Sequence, residues 1–149
     1  MSVRAGIRAA LAADSTYLAL LPGGLYPNPA LTPDDQTLIT RETTPFAFDS
    51  FGDIKPCGMV VDDGTAAFGP LRNGAQTFVR ILHWQQFGRG VVEAADQRAY
   101  ALLQGARIGI DGHYCTFRWA GFAQSNLSDP SLRDAALSWS RWQITRLLA

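Results

Sequence analysis

The sequence predicts an α+β fold: an antiparallel sheet with an N-terminal helix and a second helix packed on one face, and a long irregular arm or loop. Three observations carry this. Gln76 to Phe87 reads as a long strand, Val91 to Gln104 repeats with helical period, and Asp111-Gly112 joins two extended runs as a two-residue hairpin. The chain of 149 residues suggests one domain, 1–149, with an extended arm or loop within 30–74. A compact chain of this size buries roughly 68–70% of its unfolded surface, so it needs no metal or disulfide staple.

The elements follow in order. Ser2 is an N-cap candidate, and Val3, Ile7, Ala10 and Leu11 fall at helical spacing after it. Asp14 or Ser15 caps a second short turn that Pro22-Gly23-Gly24 stops. Leu25 to Pro33 carries Pro27, Pro29 and Pro33 and reads as irregular. Thr37 to Thr44 reads as a strand, and Pro45 to Phe51 favours extended chain through its Phe residues. Pro56 to Val61 is a short strand ending in the turn signal Asp62-Asp63-Gly64, and Gly64 to Gly74 is a loop. In the long strand, Phe78, Leu82 and Trp84 share one face with Arg80, while Val79, Ile81 and Phe87 share the other with His83. Both faces are largely apolar, so the strand is central and covered on each side. Gly88 and Gly90 break it. The next helix has the stripe Val92, Ala95, Ala99 and Leu102, and Gly105 ends it in left-handed geometry. Arg107 to Ile110 and His113 to Phe122 form the hairpin. Leu132 to Leu148 fits either period, but Ser138, Trp139, Ser140 and Trp142 are poor helix formers and favour a strand.

Composition narrows the function. Hydrophobic residues make up 47%, which excludes a disordered chain, and charged residues only 17%, which is low for a soluble monomer. Thirteen bases balance thirteen acids, so the chain lacks the basic excess of a dedicated nucleic-acid binder. The balance is uneven. Ala30 to Asp63 holds seven acids and two bases, net −5, whereas Gly64 to Ala149 holds nine Arg and five acids, net +4. An acidic segment and a basic body can meet within one fold or between neighbouring copies. No stretch approaches the roughly 20 apolar residues of a membrane span, and Arg4 and Arg8 interrupt any signal core, so a cytoplasmic site of synthesis and assembly is expected.

Catalytic chemistry finds little support. His83 reads as a packed or surface sheet residue and His113 as a solvated turn neighbour. Cys57 and Cys115 read as buried thiols without further ligands at metal spacing. No nucleophile elbow or phosphate loop is present. Turn chemistry explains Asp34-Asp35 and Asp62-Asp63-Gly64 more cheaply than a calcium site. No metal or cofactor is therefore expected. Trp84, Trp119, Trp139 and Trp142 all fall in strands, most as core and one or two as partner contacts.

The order of elements resembles a known family. The opening run Val3-Arg4-Ala5-Gly6-Ile7-Arg8-Ala9-Ala10-Leu11 leads to Leu21-Pro22-Gly23-Gly24-Leu25-Tyr26-Pro27. Later come Thr77-Phe78-Val79-Arg80-Ile81-Leu82-His83-Trp84, Gly90-Val91-Val92-Glu93-Ala94-Ala95, and Leu132-Arg133-Asp134-Ala135-Ala136-Leu137-Ser138-Trp139. This pattern resembles the tail terminator (tail completion) proteins of long-tailed bacteriophages and gene transfer particles. The stretch from Thr32 to Gly74 is longer than the usual link of that family. The resemblance implies a virion protein of the neck, without an active site. It implies a six-fold ring that ends the tail tube and docks to the head-side connector, with DNA passing through the lumen. Self, tail tube protein and a head-closure or connector protein are the implied partners. Another neck component, a head-closure or adaptor protein, is the nearer alternative, and a small cytoplasmic enzyme with a pocket holding His83 or His113 the further one. The candidate protomer or tube interface comprises Asp49, Asp53, Asp62, Asp63, Arg72, Arg80 and Arg89, with loop Gly64–Gly74 or the acidic arm touching the neighbour.

Overall fold

The computed structural model describes residues 3–28, 39, 44–67, 74–110, 113–126 and 134–147. Helices α1 (Val3–Ala12) and α2 (Ser15–Ala19) open the chain, and α3 (Gly90–Leu103) lies midway. The strands are β1 (Leu25–Asn28), β2 (Cys57–Ala67), β3 (Gly74–Gln86), β4 (Arg107–Ile110), β5 (His113–Asn126) and β6 (Ala135–Leu147). They form one sheet in the order β1-β2-β3-β6-β5-β4. All neighbours run antiparallel except β1 and β2, which pair in parallel from Leu25 opposite Gly58 to Asn28 opposite Val61. The α+β class with its helices on one face is the one the sequence predicts. No helix among the described residues is long and apolar enough to cross a membrane.

Alternation along the central strands divides the molecule into two cores. Val60, Val79, Ile81, Cys115, Phe117, Trp142 and Ile144 face the helices and pack with Ile7, Leu11, Tyr17, Ala95, Ala99 and Leu103. The opposite face presents Cys57, Met59, Val61, Leu82, Trp84 and Leu137, covered by Ile39, Ala47 and Ile54. Both faces of β3 are thus buried, as its two apolar stripes require. Both cysteines are free and buried, and burial pushes the Cys57 thiol up to about 12.

Local chemistry accounts for the helix ends. Asp14 caps α2, its Oδ1 accepting the Tyr17 amide at 2.7 Å. The same carboxylate holds Arg98 of α3 at 3.1 and 2.6 Å, which docks the two helices together. The α3 N-terminus has no side-chain cap of its own. Gln85 of β3 supplies it, its Oε1 accepting the Val91 and Val92 amides at 2.9 and 3.2 Å. Gly105 adopts φ +72 beyond α3, the left-handed stop expected from the sequence. Gly6 lets α1 settle on β4, because a Cβ there would stand 2.8 Å from the Ile110 side chain.

Four local expectations need correction. Leu25–Asn28 is a strand despite Pro27, because β1 lies at the sheet edge and needs hydrogen bonds on one side alone. Its parallel pairing makes the sheet mixed. Asp62-Asp63-Gly64 is not a turn: β2 runs on to Ala67, and a register shift between Asp62 and Thr65 absorbs the irregular step as a bulge. The loop expected from Gly64 therefore gives way to strand up to Ala67, and residues 68–73 lie outside the described set. Pro45–Ala47 forms a 3-10 turn rather than extended chain, with Pro at its start and the Ala47 amide donating to the Thr44 carbonyl at 3.0 Å. The strand expected over Thr37–Thr44 lies outside the described residues except for Ile39 and Thr44.

Candidate functional site

The charged residues singled out in the sequence separate into distinct places. Asp49 and Asp53 sit in the turn that follows the 3-10 segment. Asp49 Oδ1 accepts the Phe51 and Asp53 amides at 2.9 and 3.0 Å, which fixes a tight Asx turn. That turn carries Phe51 88% exposed, and the exposed Phe46 ring lies under the Lys55 ammonium. Asp62 and Asp63 project to opposite faces of β2. Asp62 pairs with Arg4 of α1 on the helix side. Asp63 Oδ2 accepts from Arg80 Nε at 3.2 Å and Arg141 Nε at 2.7 Å on the other side. Arg80 stacks on Trp139 and Arg141 on Phe78, so the three charges lie on an aromatic floor. Three of the acid–base contacts between the acidic segment and the rest of the chain are thus made within one protomer. Because Asp62 and Asp63 point apart and each holds arginine, they do not converge on a shared cation. Among the described residues no group of three His, Cys, Asp or Glu is placed to hold a metal. Arg89 is the residue preceding α3, and Arg72 lies outside the described residues.

His83 has the least expected surroundings. It is fully buried on the helix side. Its Nδ1 lies 2.6 Å from Asp96 Oδ1 and its Nε2 lies 2.6 Å from the Tyr17 hydroxyl. The Ser138 hydroxyl donates to the same Asp96 oxygen at 2.9 Å. Burial, and then the Asp96 charge, pushes the Tyr17 hydroxyl far up, so it stays protonated. Both ring nitrogens of His83 are thus engaged, one by Asp96 and one by Tyr17. Four elements, α2, β3, α3 and β6, meet in this chain of hydrogen bonds. It resembles a hydrolase relay in composition, but Tyr17 and His83 are both closed to solvent, so no substrate reaches them.

The relay ends beneath an open groove. Glu93, Asp96 and Tyr100 of α3 form one wall, and Trp119, Phe122 and Trp142 of β5 and β6 the other, around about 380 Å³. Tyr100, Trp119 and Phe122 are 47%, 43% and 46% exposed. Tyr100 meets Trp119 edge-on at 6.3 Å, which props the two rings apart across the groove. Asp96 Oδ2 is buried without a hydrogen-bond partner. His83 does not line this groove. Trp84 and Trp142 are core, whereas Trp119 is the exposed indole that partner contact predicts. Sequence reasoning missed the groove because its walls come from three elements. The signal was the pairing of apolar aromatics with α3 acids, Glu93 and Asp96, one turn apart.

No family model matches the chain, and no curated protein matches it. Solved structures do. A chain of the virion of a native gene transfer agent (GTA) particle superposes with a TM-score of 0.63 at 14% identity, covering 98% of this chain and 95% of that one. At this identity the likeness is one of fold, and it runs the whole length of both chains.

Proposed function

We propose that the chain is a structural protein of a phage-like or gene-transfer particle. In this reading it forms a ring at the neck that terminates the tail tube and joins it to the head connector. The observation that carries the reading is the two-way coverage of the shared fold with a chain of a gene transfer agent virion. The coarse order of helix, strands, helix, hairpin and closing strand read from the sequence supports it, with β1 added where an irregular segment was expected. Exposed aromatics support an assembled state: Phe46, Phe51, Phe87, Tyr100, Tyr114, Trp119 and Phe122 all present large surface to solvent in the isolated protomer.

A ring requires two different faces of one chain to meet head-to-tail. The Asx turn that carries Phe51 offers one such face. Candidate contacts at the neighbour or tube are Asp49 and Asp53 in that turn, with Arg89 and Arg72. Asp62, Asp63 and Arg80 contribute through the charges they leave after internal pairing. Tail tube protein and a head-closure or connector protein are the partners of such a ring, and DNA passes through its lumen without sequence readout.

Disrupting the gene in a particle-producing strain tests this. Electron microscopy of the lysate should show tails of uncontrolled length detached from filled heads, reversed by the gene supplied in trans. Tails of normal length beside leaking heads would instead indicate a head-closure protein. Intact particles of normal yield would overturn the structural reading.

A further inference from the structure

We propose that the groove between α3 and the second half of β5 is a docking site for an extended basic polypeptide segment. The segment adds as a strand to the outer edge of β5 and lays an arginine or lysine side chain into the groove. This site stands independently of the particle reading.

Two features point to it. The first is the edge. Among the described residues β4 covers β5 only from His113 to Thr116. The Gln104 side chain takes up the Trp119 amide at 3.0 Å, and the Gly105 amide takes up the Phe117 carbonyl at 3.3 Å. From Gly121 to Asn126 β5 pairs with β6 on its inner side and faces no described strand on its outer side. A bulge between Trp119 and Gly121 marks where the covered half ends. Such an edge offers backbone donors and acceptors in register to an incoming strand.

The second feature is the groove beside that edge. Its residues include two carboxylates, Glu93 and Asp96, and no base. The Asp96 Oδ1 is held by His83 and Ser138, which leaves Oδ2 buried without a partner. Tyr100, Trp119 and Phe122 supply exposed ring faces. Carboxylates framed by aromatic rings suit a guanidinium or ammonium on an apolar stem, through ion pairing and cation–π contact together. An acidic segment would instead meet two like charges. Alternate residues of an added strand point to the same face, so a basic residue at every second position reaches the groove.

The test uses the purified chain labelled with ¹⁵N. The probe is a blocked peptide of about nine residues alternating threonine with arginine, beside a counterpart carrying glutamate in place of arginine. The arginine peptide should shift amides from Gly121 to Asn126 and the Trp119 indole, and bind at least about tenfold more tightly than the glutamate peptide. Glu93→Lys and Phe122→Ser change exposed positions, and an unchanged spectrum elsewhere confirms their fold. Each should weaken the arginine peptide about tenfold. Absence of binding, equal affinity for the two peptides, or shifts confined to other surfaces would overturn the proposal.

Discussion

On the helix-covered side of β3, His83 is closed to water between Tyr17 and Asp96. On the opposite side Arg80 shares the Asp63 carboxylate with Arg141 in partial contact with solvent. One strand therefore carries two polar clusters under opposite rules. Inside, every bond must be made, because a buried group that loses its partner keeps its full desolvation cost. Outside, water and ions substitute for whatever is lost.

The largest effect should come from His83→Ala. It strands the Tyr17 hydroxyl and leaves the Asp96 carboxylate with the Ser138 hydroxyl alone, and should cost about 3–5 kcal/mol in denaturant unfolding. A loss below about 1 kcal/mol would erase the contrast between the faces. Next comes Gly6→Val on the same side. Its side chain would drive into Ile110, and a loss of about 1–3 kcal/mol in the same measurement is expected. On the open side, Asp63→Asn leaves Arg80 and Arg141 facing each other. Their remaining exposure and the aromatic floor should hold the cost to about 0.5–1 kcal/mol, shrinking in high salt.

The smallest effect is a pH dependence. The Arg98 guanidinium, followed by the Tyr17 amide, holds the Asp14 carboxyl below the usual carboxylate range. A depressed folded-state value adds stability above the unfolded-state value, and that stability is lost as pH falls through the folded one. Asp14→Asn keeps the cap but removes the charge. Its melting temperature should therefore fall below the parent at neutral pH, and the gap should close on acidification. A gap independent of pH would show that the Arg98 contact contributes only through packing.

What the sequence disclosed follows from range. β3, α3, β6 and the pairing of β4 with β5 were legible because periodicity and turn residues are local signals, although Asp111 and Gly112 themselves lie outside the described residues. Both faces of β3 were assigned correctly from alternation except for Phe87, which lies beyond the strand at positive φ and is exposed. β1 was hidden by Pro27, whose missing N–H matters only if the strand has two neighbours. The length of β2 was hidden because a bulge and a turn use the same residues, here Asp62-Asp63-Gly64. His83 was read as a packed or surface sheet residue; it is packed, but its partners Tyr17, Asp96 and Ser138 lie far off in sequence, and no local pattern announces them. The groove was illegible for the same reason. The contact between the acidic segment and the basic body was legible as charge. Its geometry, with Asp62 and Asp63 parting to opposite faces, was not.

The position of β6 has a consequence for biosynthesis. It lies between β3 and β5, yet it follows every other strand in the chain. As the polypeptide leaves the ribosome, β1, β2 and β3 emerge as one half-sheet and β4 and β5 as a hairpin, with no strand to join them. The Trp142 and Ile144 side chains that bridge both halves to the helices arrive last. A nascent chain stalled before residue 135 thus displays two raw inner edges, one on β3 and one on β5. Folding here is a closing step taken at the end of translation, and the interval before it is when the chain most needs a chaperone.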